Sequence, residues 1–174
     1  MLSDAYAPAL LRPRLLQLAK NRDVSQHKMT AGLFSLGGSR HERVEVIVSG
    51  YERQPVGDYH DDNWLAVEVS LSVGGFRGRF PASFLTEELL TFRAQIAELY
   101  KTLKGEAEFV TIEGQLFLSL IGNGRGGVSL RGEAWDGAGI GNHLQFELEL
   151  DQTQLAATLR ELDDVIERFP IRAG

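Results

Sequence analysis

The densest group of polar side chains in the sequence lies at residues 58–63, in the order Asp, Tyr, His, Asp, Asp, Asn. Carboxylates beside a histidine can bind divalent cations or exchange protons in catalysis. A metal centre usually takes ligands from separate segments, however, and the chain has no second His, Asp or Glu cluster with ligand spacing. The same residue types are typical of a turn in which Asx side chains bind backbone N–H groups. The pattern favours such a turn, with a metal-dependent hydrolase that uses His60, Asp61 and Asp62 as an alternative.

Other features that could carry chemistry have ordinary structural explanations. The glycine-rich stretch at 122–127 lacks the Lys-Ser/Thr of a phosphate-binding loop, and the pattern places it between two strands. The sequence has no G-x-S-x-G motif and no cysteine, and its four histidines are scattered. We therefore predict no catalytic residues, no metal ligands and no cofactor, and we predict that the protein is not an enzyme.

Aromatic side chains lie where predicted strands meet loops, and several of them have acidic neighbours. Tyr and Trp are favoured anchors in protein interfaces because their large, rigid rings bury much surface at a low cost in conformational entropy. These features predict a partner-binding surface that includes Tyr59, Asp61, Asp62, Trp64, Trp135 and Asp136. The alternative for Trp64 and Trp135 is that both rings lie at the edge of the core.

The net charge of −6 is unevenly distributed along the 174 residues. Residues 1–43 carry +4, so the remainder carries −10. An acidic body argues against a nucleic-acid partner and is compatible with a basic protein partner. The apolar runs are too short to span a membrane, and the N-terminus lacks the order of charges of a signal peptide. Together with the absence of cysteine, these features predict a cytoplasmic protein that binds neither membranes nor nucleic acids.

In the first half of the patterned region, apolar residues alternate with the period of two that is typical of strands. The segments 44–48, 65–73 and 76–84 predict three strands, and Gly74-Gly75 predicts a tight turn between the last two. A helix is predicted next, with Thr86 as its N-cap and Gly105 as the left-handed residue that ends it.

The second half shows the same order of elements. Four further strands are predicted at 107–112, 115–121, 128–135 and 144–150. Asp136 to Gly141 is interpreted as a flexible connection between the last two. Asp151 and Gln154 have the spacing of a capping box at the start of the final helix.

Together, these patterns predict an α+β fold with one or two antiparallel sheets of about eight strands and two amphipathic helices packed on them. A duplicated strands-then-helix unit would explain the repeated order, although binary patterning produces similar strands by chance. We predict a basic N-terminal leader at residues 1–43, with a weak helix, a linker and the first strand. Residues 44–174 are predicted to form a single α+β domain.

The order of several short motifs resembles that of the WapI-type family of bacterial immunity proteins, which protect against polymorphic toxins. The motifs cover roughly residues 44–170: Gly50-Tyr51, Asp62-Asn63-Trp64-Leu65, Phe84 to Leu89, Leu99 to Gly105, Thr111 to Leu116, Gly139 to Leu144 and Asp151-Gln152-Thr153. The resemblance implies a protein that binds and neutralises a cognate toxin, often a nuclease, and it implies no catalytic residues. A stand-alone ligand-binding or housekeeping module is the alternative.

Overall fold

The computed structural model describes residues 31–39 and 41–172, which form two four-stranded sheets and two 17-residue helices. Every neighbouring strand pair is antiparallel, and each sheet is a simple meander whose order in space follows the chain. The elements are β1 (Gly32–Ser39), β2 (Glu42–Tyr51), β3 (Trp64–Val73), β4 (Phe76–Leu85), α1 (Thr86–Thr102), β5 (Lys104–Val110), β6 (Leu116–Asn123), β7 (Gly127–Gly137), β8 (Ile140–Asp151) and α2 (Gln152–Arg168). The predicted α+β class is confirmed.

The order of strands and then helix occurs twice, as the repeated sequence pattern indicated. The first unit contains the sheet β1–β4 and then α1, and the second contains the sheet β5–β8 and then α2. The strand predicted inside the basic leader is β1, which pairs with β2 from Gly32 to Leu36 and again at Ser39. The compact unit that contains both sheets begins at Gly32. The weak helix and linker predicted before it lie outside the described residues, so the leader remains a prediction.

Strand β3 shows why the alternating pattern was informative. Its odd-numbered residues from Leu65 to Val73 are buried, and its even-numbered residues are partly exposed. At its end, Val73 pairs with Phe76 across the predicted Gly74-Gly75 turn. Gly74 has a φ of 61°, a conformation that glycine adopts without a steric penalty from Cβ.

Four buried phenylalanines join the two sheets in the core. Phe109 of β5 lies between the other three, with its ring centroid 6.2 Å from Phe34 of β1, 5.2 Å from Phe84 of β4 and 5.1 Å from Phe92 of α1. Each of these elements therefore contributes one ring to a single cluster. Such tilted and edge-to-face pairs add to the stabilisation that burial of the rings provides.

Each helix covers the edge strand of the sheet that it does not follow. The hydroxyl of Thr158 on α2 donates to the carbonyl of Ser35 on β1 at 2.6 Å, and the N–H of Ser35 donates to Glu161 at 2.8 Å. On the other side, the N–H of Glu108 on β5 donates to Gln95 of α1 at 2.7 Å. Helix side chains thus replace the strand neighbour that β1 and β5 lack.

The start of α1 differs from its prediction, because Leu85 and not Thr86 is the N-cap. Thr86 is the first helical residue, and its buried hydroxyl donates to the carbonyl of Asn63 at 3.2 Å. The N–H of Leu85 donates instead to the carboxylate of Glu88 at 2.9 Å. The hydroxyl of Thr86, which the local sequence pattern predicted as the cap, is instead used in a tertiary hydrogen bond to Asn63.

The end of α1 also differs, because the left-handed residue that ends the helix is Leu103, with a φ of 60°, whereas Gly105, with a φ of 101°, already lies in β5. The carbonyl of Leu103 accepts a hydrogen bond from the N–H of Gly124 at 2.8 Å, and Lys104 already belongs to β5. Pairing with the second sheet therefore ends the helix two residues early.

Two features of the second unit were predicted with different success. The capping box of α2 is confirmed: Asp151 accepts from the N–H of Thr153 at 2.8 Å, and Gln154 accepts from the N–H of Asp151 at 3.1 Å. The prediction of a flexible connection at 136–141 was wrong, because β7 and β8 continue into this segment and Gly137 pairs with Ile140.

Candidate functional site

The polar loop between β2 and β3 is organised around the carboxylate of Asp62, which is only 1% exposed. One oxygen of Asp62 accepts three backbone N–H groups, from Val56 at 2.9 Å, Gly57 at 2.8 Å and Asp58 at 3.0 Å. The other oxygen accepts from the guanidinium of Arg53 at 3.1 Å. A carboxylate with four donors holds the loop in one conformation. The sequence indicated a turn here, but it did not indicate that Asp62 lies inside it.

These contacts determine the ionisation of Asp62. Burial by itself raises the pKa of the carboxyl, but hydrogen bonds from three backbone N–H groups and from Arg53 outweigh it and lower the pKa below its ordinary value. The guanidinium of Arg53 forms ion pairs with both Asp61 and Asp62, at 2.9 Å and 3.1 Å, and offsets one of their two negative charges. The arrangement therefore supplies an internal counter-ion where the alternative hydrolase would need a metal.

We expect replacement of Asp62 by Asn to destabilise the protein at neutral pH and to matter less in acid. A carboxyl whose pKa is lowered by folding stabilises the folded state above its unfolded pKa of about 3.9, and this stabilisation is lost as the pH falls through the folded pKa. Urea denaturation of both proteins at about pH 7 and about pH 3 measures the difference. Asp61→Asn is the control, since Asp61 is half-exposed and should matter less. Equal urea midpoints for Asp62→Asn and wild type at about pH 7 would contradict the prediction.

Next to Asp62, the buried side chain of Asn63 holds the end of the chain against the same loop. Its amide donates to the carbonyls of Tyr59 at 2.6 Å and Arg172 at 3.0 Å, and its oxygen accepts from the N–H of Arg172 at 2.7 Å. The guanidinium of Arg172 lies 3.4 Å from the ring centroid of Tyr51, whose hydroxyl donates to the carbonyl of Pro170. We refer to Tyr51, Asn63, Pro170 and Arg172 as the C-terminal latch.

The other predicted residues of this loop lie at the surface. Tyr59 is 42% exposed, with its ring edge-on to that of His60 at 5.5 Å between centroids. Asp61 is exposed except for its ion pair with Arg53. Trp64 is half-buried at the first position of β3. Tyr59 and Asp61 are therefore exposed to a partner, and Trp64 is partly exposed. Asp62 is buried, so it contributes to this surface by holding the loop in its conformation.

The second predicted group lies at the hairpin between β7 and β8. Trp135 is half-buried and stacks on His143, with ring centroids 4.0 Å apart and planes at 7°. The carboxylate of Asp136 accepts the N–H of Asn142 at 2.7 Å and its side-chain amide at 2.8 Å. Both hydrogen bonds from Asn142 lower the pKa of Asp136, against a smaller effect of burial. The ring stacking of Trp135 and the side-chain hydrogen bonds of Asp136 are made within this hairpin. A shared partner-binding role for the two groups remains a prediction.

The outer face of the second sheet carries an acidic groove of about 620 Å³ that sequence reasoning missed. Four glutamates, one arginine and the apolar side chains of Phe117 and Ile121 are among the residues that line it. The charged lining residues are Glu106, Glu108, Arg131, Glu133 and Glu147. Arg131 pairs with Glu147 at 3.1 Å, which leaves a clear excess of negative charge. Alternation within β5, β7 and β8 could have placed these residues on one face, but only the register of the strands brings them together.

The outer face of the first sheet has the opposite charge. A groove of about 770 Å³ there is lined by Arg43, Arg77 and Arg79 together with Glu45 and serine hydroxyls. Two of these arginines have acidic neighbours, since Arg43 lies 3.2 Å from Glu45 and Arg79 lies 3.2 Å from Glu68. The two sheets thus present electrostatically different surfaces.

Two kinds of feature are absent from residues 31–39 and 41–172. No helix in that part of the chain is long and apolar enough to cross a membrane. No group of three or more His, Asp or Glu side chains there could hold a metal ion.

Comparison with known proteins places the fold in context. The model of the immunity protein WapI-like family matches residues 35–170, from within β1 to just beyond α2. The match includes the loop of Asp62, the acidic groove and three residues of the C-terminal latch, but not Arg172. A search of the curated proteins finds no match.

Proposed function

The chain belongs to the immunity protein WapI-like family, and from this membership we propose that it binds and neutralises a cognate toxin protein. The observation that carries the proposal is the family match over residues 35–170, which spans both sheets and both helices. Neutralisation through a stable complex, without a chemical reaction, is part of the proposal. So is a cytoplasmic location.

The charge of the second sheet supports a basic partner. Four glutamates and the apolar side chains of Phe117 and Ile121 line the acidic groove, which combines long-range attraction with surface that can be buried on contact. Nuclease toxins need basic surfaces to bind phosphates, so an acidic inhibitor is attracted to the same surface that nucleic acid would occupy. We therefore propose a nuclease-type toxin as the partner. Tyr59, Asp61, Trp64, Trp135 and Asp136 are kept as proposed contact residues.

The test is to purify the chain with the toxin domain encoded by a neighbouring gene. We expect a stoichiometric complex in size-exclusion chromatography and calorimetry, and we expect co-expression to restore growth of cells that produce the toxin. Absence of a complex with that toxin, in both measurements, would contradict the proposed function.

The acidic groove can be tested in the same system with Glu108→Lys. We expect this charge reversal to weaken toxin binding by roughly tenfold at low ionic strength, and by less at high salt, because salt screens the attraction. Glu42→Lys on β2 is the matched control, since it changes the net charge equally on the first sheet. Equal affinities for Glu108→Lys and wild type would exclude the groove as the contact surface without excluding the function.

A further inference from the structure

The two sheets have four edge strands, and these edges differ in how their backbone groups are satisfied. An uncovered edge presents N–H and C=O groups that can pair with a strand from another protein. The edge strands are β1 and β4 in the first sheet and β5 and β8 in the second. Strands β1 and β5 are covered by α2 and α1 through the hydrogen bonds described above.

Strand β4 is protected in a different way. Pro81 lies in its middle and has no N–H to offer an incoming strand. The carbonyl of Pro81 accepts a hydrogen bond from the side chain of Gln115 at 3.1 Å, so this carbonyl faces the edge and is already occupied. At the end of the strand, the N–H of Leu85 donates to Glu88. The edge of β4 is therefore interrupted.

For β8, the direction of the backbone groups follows from the neighbouring strand. The N–H of Trp135 on β7 donates to the carbonyl of Gln115, which lies on the β6 side. In an antiparallel ladder a residue directs its N–H and C=O to the same side, so Trp135 and its partner His143 form a pair without mutual hydrogen bonds. The backbone groups of His143 therefore point away from β7.

The pairing of β7 with β8 is regular from Trp135 back to Gly127, so every second residue of β8 repeats this direction. Gln145, Glu147 and Glu149 accordingly also present their N–H and C=O groups at the edge. At the end of the strand, the N–H of Asp151 points the same way and is bound by Gln154. Strand β8 also lies near β1 and β3, but His143 and these three residues remain exposed.

The two faces of β8 differ sharply beside this edge. On the outer face lie the side chains of Gln145, Glu147 and Glu149, next to the acidic groove. On the opposite face lie Phe146 and Leu148, which are buried. A strand that paired with the edge of β8 would direct alternate side chains to the two faces of the sheet. One set would lie beside Gln145, Glu147 and Glu149, and the other would lie beside Phe146 and Leu148. Opposite charges and apolar pairs stabilise cross-strand neighbours.

We propose that the edge of β8 at residues 143–149 pairs with an extended segment of the partner protein, in which Lys or Arg residues alternate with apolar residues. The basic side chains of that segment lie beside the glutamates of the outer face, and the apolar ones continue the row of Phe146 and Leu148. This inference rests on the proposed function for the identity of the partner, a toxin, and on the edge geometry for the mode of binding. Strand addition gives affinity through the backbone and specificity through alternate side chains.

The first test is amide hydrogen exchange on the wild-type protein, because it requires no variant to fold. We expect the amides of His143, Gln145 and Glu147 to exchange at least about tenfold more slowly in the toxin complex than in the free protein, since strand pairing protects them. The same measurement with a synthetic nine-residue peptide of alternating Lys and Val probes the edge without the toxin. A matched peptide of alternating Glu and Val should give no protection.

The second test uses Gln145→Pro, which removes one outward N–H and obstructs an incoming strand. We expect toxin binding to weaken about 30-fold or more, because about two hydrogen bonds of roughly 1 kcal/mol each are lost. Gln145→Ala keeps the backbone and should change the affinity no more than about twofold. Arg79→Pro, on the edge of β4, is the matched proline control and should leave binding unchanged. If Gln145→Pro does not fold, the hydrogen-exchange experiment on the wild-type protein alone decides whether the β8 edge pairs with the toxin.

The outcomes separate the two proposals. If the toxin binds but the β8 amides are not protected and a folded Gln145→Pro variant binds normally, the edge inference is overturned and the proposed function stands. If the toxin does not bind, the proposed function fails, and the Lys-Val peptide then decides the edge inference: protection of the three amides supports it, and unchanged exchange overturns it.

Discussion

Replacing Phe109 by alanine is expected to lower the free energy of unfolding by about 3–5 kcal/mol, because a large core side chain is lost and a cavity is left behind. Phe109 is fully buried and contacts the rings of Phe34, Phe84 and Phe92, which come from β1, β4 and α1. The cavity would open where both sheets and one helix meet, so no single element can move in to fill it. Such a loss is a large fraction of the roughly 5–15 kcal/mol that stabilises a typical domain.

Urea denaturation followed by circular dichroism measures this loss. Two control variants separate the effect of side-chain size on stability from the effect of the position of the side chain in the fold. Phe109→Leu keeps most of the volume and should cost less than about 2 kcal/mol. Phe76→Ala removes an equal ring at a site that is 68% exposed, and it should change stability by no more than about 0.5 kcal/mol. A stability of Phe109→Ala within about 1 kcal/mol of wild type would show that the cluster is not the centre of the core.

Replacing Asn63 by alanine is expected to lower the free energy of unfolding by about 3 kcal/mol, because buried polar groups that lose a partner each cost about 1–3 kcal/mol. The change leaves the carbonyls of Tyr59 and Arg172 and the N–H of Arg172 without the hydrogen bonds that Asn63 provides. It therefore releases the C-terminal latch and loosens the loop of Asp62 at once. Thermal and urea denaturation measure the effect.

A shortened chain gives the matched test for the latch. In a protein that ends at residue 171, the partners from Arg172 are already absent, so Asn63→Ala should cost clearly less than in the full chain. Asn142→Ala removes an amide that is also hydrogen-bonded, but it lies on an exposed hairpin and should cost less than about 1 kcal/mol. Equal losses for Asn63→Ala in the full and shortened chains would refute the role of the latch.

Features that depend on residues close in sequence could be predicted well. The alternation in β3, the Gly74-Gly75 turn and the capping box of Asp151 each involve residues within a few positions of one another, and the structure confirms all three. The N-cap of α1 was predicted wrongly for the opposite reason. The hydroxyl of Thr86 bonds to Asn63, which is distant in sequence, and local spacing contains no information about that contact.

The candidate site shows the same division. The residue types at 58–63 indicated a turn, and Asp58 does accept the N–H groups of His60 at 3.1 Å and Asp61 at 3.0 Å. That Asp62 is buried whereas Asp61 is exposed follows from the closure of the whole loop around Arg53. The acidic groove draws on four strands, so its recognition requires their register. The partner-binding role of the predicted residues remains a prediction.

The reciprocal arrangement of the helices makes the two halves of the molecule mutually dependent. The backbone of β1, close to the start of the described chain, has its edge satisfied only when α2, the last helix, is in place. Because synthesis runs from the N-terminus to the C-terminus, residues 152–168 are made after the whole first sheet, so α2 cannot cover the edge of β1 until they are complete. Neither repeat is a self-sufficient building block, although each looks like one in the sequence. An exchange of α2 between two molecules would satisfy the same hydrogen bonds, so the arrangement that closes one chain also provides a route to a swapped dimer.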